Sequence, residues 1–151
     1  MDLAQEIAET IEGVTSFLGN GIPQGSLEVI DRGLPHTPQS LKPGTMGVYT
    51  FCYNGRFLKI GKAGPSSNAR FLSHHYNPKA ASSNLASSIL SDADMQDKGI
   101  TEANVGDWIK QNCRRIDILI NADLGIFTLE LIEAVLHYKY EPKYEGYQSQ
   151  R

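Results

Sequence analysis

Four side chains whose types could do chemistry together stand at intervals along the chain. Tyr49 lies in an early apolar segment, Lys62 and Arg70 follow it, and Glu133 comes much later. A phenol, two cations and a carboxylate are the residue types that phosphodiester hydrolysis requires. That reaction needs an activated water, cations that stabilise the charge on the phosphoryl oxygens and help for the departing oxygen. The sequence therefore indicates phosphoryl chemistry if the fold brings these parts together.

The element that carries Tyr49 is predicted to be a β-hairpin. Residues 48–53 are rich in β-branched and aromatic side chains, Asn54-Gly55 is a two-residue turn, and residues 56–60 form the return strand. Lys59 is therefore expected on the strand next to Tyr49. The pKa of free tyrosine is about 10, so a phenolate needs cations or a metal nearby. Lys62 and Lys59 are the candidates to supply that field.

The next segment predicts a cationic helix. After a Gly/Pro/Ser loop, Asn68 is expected to cap a short helix that carries Arg70 and His74 on one face, since they are four residues apart. The guanidinium of Arg70 suits bidentate phosphate binding. Residues 56–79 hold five cations and no acidic residue: Arg56, Lys59, Lys62, Arg70 and Lys79. This segment predicts a local positive surface.

Glu133 lies on the last predicted helix, at the edge of its apolar face. On a helical wheel Leu129 and Leu136 lie to one side of it, whereas Glu130 and His137 lie round on the other side. A carboxylate in that position needs a partner, and a metal ion is one natural partner. A single carboxylate with water and phosphate oxygens suits Mg²⁺ or Mn²⁺ better than zinc. Glu130 is the rival carboxylate.

The order and spacing of these residues resemble the GIY-YIG nuclease family. The segments that carry the resemblance are Gly47-Val48-Tyr49, Lys59-Ile60-Gly61-Lys62, Arg70 with His74, and Glu133 followed by Pro142-Lys143-Tyr144. Each segment alone is weak, and the joint pattern in order is much more specific. The resemblance spans about residues 46–146, with a nonmatching stretch near 79–112.

The resemblance implies both a fold and an activity. It implies an α+β domain with a small central antiparallel sheet of about three strands, flanked by helices. It implies a metal-dependent endonuclease that cuts DNA, in restriction, mobile-element or repair roles. In such an enzyme Tyr49 would activate water, Arg70, Lys62 and His74 would act on the phosphate, and Glu133 would hold one Mg²⁺ or Mn²⁺.

Two positions depart from the family pattern. Lys59 stands where the second half of the motif usually begins with tyrosine, and it is either a surface lysine or a phosphate contact. Glu145 stands where many relatives have asparagine, and it is either a second acidic ligand or a solvated residue. His75 is treated as a neighbour of His74.

The rest of the chain is predicted from apolar periodicity. An N-terminal unit, residues 1–45, comprises an amphipathic helix at 2–18, capped by Asp2, and a Pro/Gly-rich connecting segment with a short strand at 27–30. The helix is expected to pack on the main domain or to form a dimer or partner contact. The main domain, residues 46–151, is expected to contain an insertion of helical pieces at 79–112. A third strand at 115–120 and a helix at 127–140 follow.

Composition leaves two other functions open. The net charge is −3, from 14 basic and 17 acidic residues, whereas nucleic-acid-binding proteins are often basic. The alternatives are a nucleic-acid-binding module of the same fold without activity, and a protein-interaction domain. Cys52 and Cys113 fit no metal-site spacing and predict no disulfide. Neither a signal peptide nor a membrane span is predicted, so a cytoplasmic protein is expected.

Overall fold

The computed structural model describes residues 1–80 and 84–145, and a four-stranded antiparallel sheet forms its centre. The strands are β1 (Leu27–Gly33), β2 (Thr45–Tyr53), β3 (Arg56–Ala63) and β4 (Arg114–Asn121), in the spatial order β1-β4-β2-β3. The α+β class is confirmed, but the prediction of about three strands was wrong. The segment at 27–30 extends to Gly33 and pairs with β4 from Leu27↔Ile120 to Gly33↔Arg115.

Helices cover both faces of the sheet. They are α1 (Leu3–Leu18), α2 (Asn68–Leu72), α3 (Leu85–Ser91), α4 (Val105–Asn112) and α5 (Ile126–Tyr140). The apolar side chains of α1 and α5 share one core with one face of the sheet. Those of α2, α3 and α4 share a second core with the other face, which carries Tyr49. No helix within residues 1–80 and 84–145 is long and apolar enough to cross a membrane.

The N-terminal helix was predicted correctly. The Asp2 carboxylate accepts a hydrogen bond from the Gln5 amide at 2.8 Å, as an N-cap should. Ile7 and Ile11 are buried against the sheet. The Tyr140 hydroxyl donates to Glu6 Oε1 at 2.8 Å and so connects α5 to α1. The apolar stripe thus packs on the main domain, which was one of the two expectations for this helix.

The hairpin of β2 and β3 places Tyr49 beside Gly61. Asn54 and Gly55 form the predicted turn, with φ of 49° and 78°. Tyr49 pairs with Gly61 and Phe51 with Lys59, and a bulge follows at Leu58 because the next pair is Cys52↔Phe57. A Cβ added at Gly61 would lie 2.6 Å from Cε2 of Tyr49. Glycine is therefore required there because the tyrosine ring covers it.

The cationic helix is shorter than predicted. Ser67 precedes α2, and the Asn68 side chain accepts from the Leu41 amide at 2.8 Å instead of capping the helix. The helix ends at Leu72, and His74 begins a separate 3₁₀ turn, His74–Tyr76. The expectations of an Asn68 cap and of one helix carrying both Arg70 and His74 were therefore wrong.

The insertion and the C-terminal segment pack beside β3. The described part of the stretch at 79–112 contains the predicted helical pieces, which are α3, a 3₁₀ helix at Ala93–Lys98, and α4. The amides of Lys143 and Tyr144 donate to the carbonyls of Phe57 and Leu58 on β3 at 2.9 and 3.0 Å. The Lys143 ammonium lies 2.7 Å from Asp92 at the start of that 3₁₀ helix. Residues 143–145 thereby connect the edge strand to the insertion.

Candidate active site

A cleft at the outer edge of β3 contains every predicted site residue. Its volume is about 230 Å³. The residues that line it are Tyr49, Lys59, Ile60, Gly61, Lys62, Arg70, His74, His75, Asn84, Glu133, His137 and Glu145. The predicted ones come from β2, β3 and the α2 region, which follow one another in the chain, and from α5, which is distant from them in sequence. Their convergence in one cleft meets the geometric condition on which the expected chemistry depends.

The cleft contains lysines from both faces of β3. Lys59 and Gly61 lie on the face of Tyr49, because they pair with Phe51 and Tyr49 in an antiparallel ladder. Lys62 points to the opposite face, which α5 covers. Because β3 is the edge strand, side chains from both faces reach the same opening. An interior strand would keep these two cations on separate sides of the sheet.

The partner of Glu133 within the protein is Lys62. The Lys62 ammonium donates to Glu133 Oε1 at 2.9 Å, and the Glu133 side chain is only 16% exposed. The expectation that this carboxylate needs a partner is thus met by a lysine. The other carboxylate oxygen, Oε2, has no hydrogen-bond or ion-pair partner among residues 1–80 and 84–145. A cation or a water can therefore approach Glu133 while Lys62 stays near.

Tyr49 is a buried phenol with a raised pKa. Burial raises the pKa of Tyr49 to about 12, while the positive charge of Arg70 lowers it and Glu133 raises it. The expectation that Lys59 and Lys62 favour the phenolate was therefore wrong for the protein without ligands. The reason is geometric, since each of these ammonium groups lies against a carboxylate. Tyr49 carries its proton at neutral pH.

The two departures from the family pattern are partners of each other. The Lys59 ammonium lies 2.9 Å from Glu145 Oε1, and the two side chains are 11% and 23% exposed. Glu145 reaches the cleft because the preceding residues, Lys143 and Tyr144, hydrogen-bond to β3. A lysine and a glutamate thus occur together at the two positions where the family that the sequence resembles usually has tyrosine and asparagine.

Arg70 and His74 lie on the side of the cleft opposite α5. Arg70 is exposed and His74 is half-buried. Neither forms an ion pair with any residue in the described ranges 1–80 and 84–145. The guanidinium of Arg70 is close enough to Tyr49 to lower the pKa of its phenol. Arg70 is therefore the cleft cation that a phosphate can approach without displacing a carboxylate.

Two histidines of the cleft were not among the predicted site residues. His137 donates from Nε2 to the Ile60 carbonyl at 2.7 Å, so its neutral form carries no proton on Nδ1. It lies one helical turn after Glu133, and that i,i+4 spacing was the signal that could have identified it. His75 is 2% exposed, its ring centroid is 4.1 Å from that of Tyr49, and burial lowers its pKa to about 3.

A buried ion-pair network lies beneath the side of the cleft that carries Arg70 and His74. Arg115 and Asp117 are both fully buried, and Arg115 Nε donates to Asp117 Oδ1 at 2.7 Å. Arg32 Nε donates to the other carboxylate oxygen at 3.0 Å. The sequence prediction treated residues 115–120 as an apolar strand and missed this network. An arginine and an aspartate two residues apart in such a strand, hence on one face, were the available signal.

The cleft residues fit a hydrated divalent ion better than a closed protein cage. Within residues 1–80 and 84–145 no group of three or more His, Cys, Asp or Glu side chains could hold a metal. Mg²⁺ commonly binds one or two carboxylates and completes its shell with water and substrate phosphates. Glu133 offers such a carboxylate.

Comparisons of the chain with protein-family models, with curated proteins and with solved structures returned no match. Functional inference for this protein therefore depends on the residues of the cleft.

Proposed function

We propose that the protein is a GIY-YIG-like endonuclease that hydrolyses DNA phosphodiester bonds with one divalent metal ion. The observation that carries the proposal is the convergence of Tyr49, Lys62, Arg70, His74 and Glu133 in one cleft. Each of these residues also stands at a position of the sequence pattern that resembles the GIY-YIG family. Glu133 comes from α5, which is distant in the chain from the hairpin and the α2 region that carry the other four.

The cations of the cleft bind the scissile phosphate in this proposal. Arg70 offers its guanidinium from the α2 side, and His74 lies beside it. Lys62 approaches from the α5 side and exchanges Glu133 for a phosphate oxygen. The Lys62 side chain is 36% exposed, so its ammonium is accessible to a phosphate. The phosphate is thus held between two walls of the cleft.

Tyr49 orients the attacking water in this proposal. With a pKa raised to about 12, its hydroxyl is neutral at pH 7 and both donates and accepts hydrogen bonds. Arg70 is the charged neighbour that lowers this pKa. The neutral phenol therefore positions the water by hydrogen bonds, and the proton that the attacking water loses passes to solvent.

Glu133 would hold the Mg²⁺ or Mn²⁺ ion. When bound, the ion supplies Lewis-acid stabilisation of phosphoryl charge. Before the phosphate binds, Lys62 orients the Glu133 carboxylate by donating to one of its oxygens. Burial of the side chain on α5 restricts its rotamers and directs the carboxylate to the cleft.

The test is cleavage of supercoiled plasmid and of labelled single-stranded DNA with Mg²⁺, Mn²⁺ or EDTA. We expect metal-dependent cutting that falls by about 10²-fold or more in Glu133→Gln and in Arg70→Ala. Glu130→Gln is the matched control, because Glu130 is an exposed carboxylate on the same helix and does not line the cleft. Cutting that survives Glu133→Gln, or that is lost in Glu130→Gln, would place the metal ligand elsewhere.

A second candidate function is nucleic-acid binding without turnover. Two observations favour it: the pKa of Tyr49 is raised, and each of the two cleft lysines forms an ion pair with a glutamate. It predicts salt-dependent binding of DNA, measured by fluorescence anisotropy, and no cutting by folded protein with either metal. The same assay therefore separates the two candidates.

A further inference from the structure

We propose that Arg115 is a positioning residue for the cleft, which fixes the segment of Arg70 and His74 relative to Tyr49. This inference rests on the proposed function. Arg115 does not line the cleft, and its effect passes through the backbone of residues 71–76.

The contacts of Arg115 join three parts of the protein. Besides Asp117 on its own strand, its Nη2 donates to the Phe71 carbonyl at 2.7 Å and its Nη1 donates to the Tyr76 hydroxyl at 2.9 Å. Phe71 directly follows Arg70, and Tyr76 ends the 3₁₀ turn that His74 begins. One fully buried guanidinium on the central strand β4 therefore holds both ends of the segment that carries the phosphate-binding residues.

Tyr49 is linked to the same carbonyl through His75. The His75 Nε2 donates to the Phe71 carbonyl at 2.9 Å, and its ring lies 4.1 Å from that of Tyr49. The Phe71 carbonyl thus accepts from both Arg115 and His75. Because the water-orienting phenol packs on one of these donors, the distance between Tyr49 and Arg70 depends on where that carbonyl is held.

The hydrogen bonds of the network form one consistent chain. Tyr76 accepts from Arg115 and donates its own proton to His36 Nε2, at 2.8 Å. His36 Nδ1 in turn donates to the Cys113 carbonyl at 2.6 Å, and burial lowers the pKa of His36, which keeps it neutral. Among the buried side chains of the described residues, no polar atom lacks a partner. A satisfied buried network of this kind rigidifies the groups that it joins.

Arg32 supplies a matched control for this role. It pairs with the same buried carboxylate of Asp117, at 3.0 Å, and among the described residues it forms no hydrogen bond to the segment of residues 70–76. Shortening either arginine to lysine disturbs the buried charge of Asp117. Only the change at Arg115 also releases the Phe71 carbonyl and the Tyr76 hydroxyl. A role in stability alone would lower the melting temperature of the variants without lowering kcat of the folded protein.

The test compares steady-state cleavage of a labelled oligonucleotide by wild type, Arg115→Lys, Arg32→Lys and Tyr76→Phe, with melting temperatures measured in parallel. We expect Arg115→Lys to lower kcat by about 10²-fold with KM changed less than about threefold, because misplacement by an ångström affects the chemical step most. Tyr76→Phe removes one of the two contacts and is expected to lower kcat by about threefold to tenfold. Arg32→Lys is expected to retain kcat within about threefold, even if its melting temperature is lowered.

A second measurement does not depend on turnover. In ¹H–¹⁵N and histidine-ring NMR spectra, Arg115→Lys should shift the amides of residues 70–76 and the ring of His75, and Arg32→Lys should leave them near their wild-type positions. If wild type does not cut DNA, the proposed function fails and these spectra still decide the placement of the segment. Equal kcat losses in both arginine variants, or unchanged kcat and spectra in Arg115→Lys and Tyr76→Phe, would overturn the positioning role.

Discussion

At the scale of single residues, the cleft balances its own charges. Lys62 pairs with Glu133 and Lys59 with Glu145, each at 2.9 Å. A phosphate that enters must compete with these carboxylates, whereas Arg70 has no such competitor among the described residues. The affinity for DNA is therefore expected to depend as strongly on the acidic partners as on the cations.

Glu145→Gln is expected to strengthen DNA binding. The change removes the carboxylate from Lys59 and leaves the ammonium available to a phosphate, so the slope of log K against log salt should steepen by about one. Binding is measured by fluorescence anisotropy in EDTA, which prevents metal-dependent cutting. Glu141→Gln is the control, because it removes the same charge from an exposed side chain outside the cleft. Equal gains in both variants would mean that only net charge matters.

His75 is expected to make folding stability depend on pH. Its pKa is lowered to about 3 in the fold, first by burial and then by the charge of Arg115. The unfolded chain therefore binds an additional proton below about pH 6.5, so stability falls as the pH is lowered towards 3, by up to about 1.4 kcal/mol per pH unit. Urea unfolding between pH 5 and 7.5 should show a steeper acid loss for wild type than for His75→Phe. Parallel curves would contradict this assignment.

At the scale of elements, glycines of the two motif segments make room for rings. A Cβ at Gly47 would lie 3.0 Å from Cδ2 of Phe71, and one at Gly61 would lie against the ring of Tyr49. The strand pair β2 and β3 can therefore carry α2 close to its surface. Gly47 and Gly61 of the sequence pattern are therefore explained by packing, whereas Tyr49 and Lys62 are explained by chemistry.

Gly61→Ala is expected to displace Tyr49 and to destabilise the fold by about 1–3 kcal/mol, the usual cost of overpacking. Gly64→Ala is the matched control, since a Cβ at Gly64 meets nothing within 4 Å. Thermal unfolding and cleavage are measured for both. A loss of activity in Gly61→Ala beside a nearly unchanged Gly64→Ala would support the role of the Tyr49 ring. Similar behaviour of the two variants would contradict it.

Local signals predicted most of the elements but not the buried polar contacts. The helix at 2–18, the Asn54-Gly55 hairpin and the helix at 127–140 follow from periodicity and turn chemistry, and the structure confirms them. Strand β1 was underestimated because its pairing with β4 joins residues distant in sequence. The contacts of Arg115 were not predicted for the same reason, since its partners Phe71 and Tyr76 lie about forty residues earlier. The order of the cleft residues in the sequence was enough to predict them. Their ion pairs join residues that only the fold brings together, so the sequence did not predict these pairs.

At the scale of the whole molecule, the charge is distributed unevenly. The net charge is −3, yet residues 56–79 contain no acidic side chain and their cations include Lys59, Lys62 and Arg70 of the cleft. α1 carries Glu6, Glu9 and Glu12 and packs on the face of the sheet opposite Tyr49. DNA is therefore expected to meet the protein at the edge of β3, and the acidic helix to face away from it.

The salt dependence of DNA binding should show how narrow this contact is. If the cleft cations make about three phosphate contacts, log K should fall against log salt with a slope near −3 for duplex DNA. Arg70→Ala should reduce the magnitude of that slope by about one. Arg56→Ala should leave it unchanged, because Arg56 is an exposed cation at the hairpin turn and does not line the cleft. Anisotropy titrations in EDTA from 50 to 200 mM salt measure all three proteins. If both substitutions reduced the slope equally, the DNA would lie across a broader surface than the cleft.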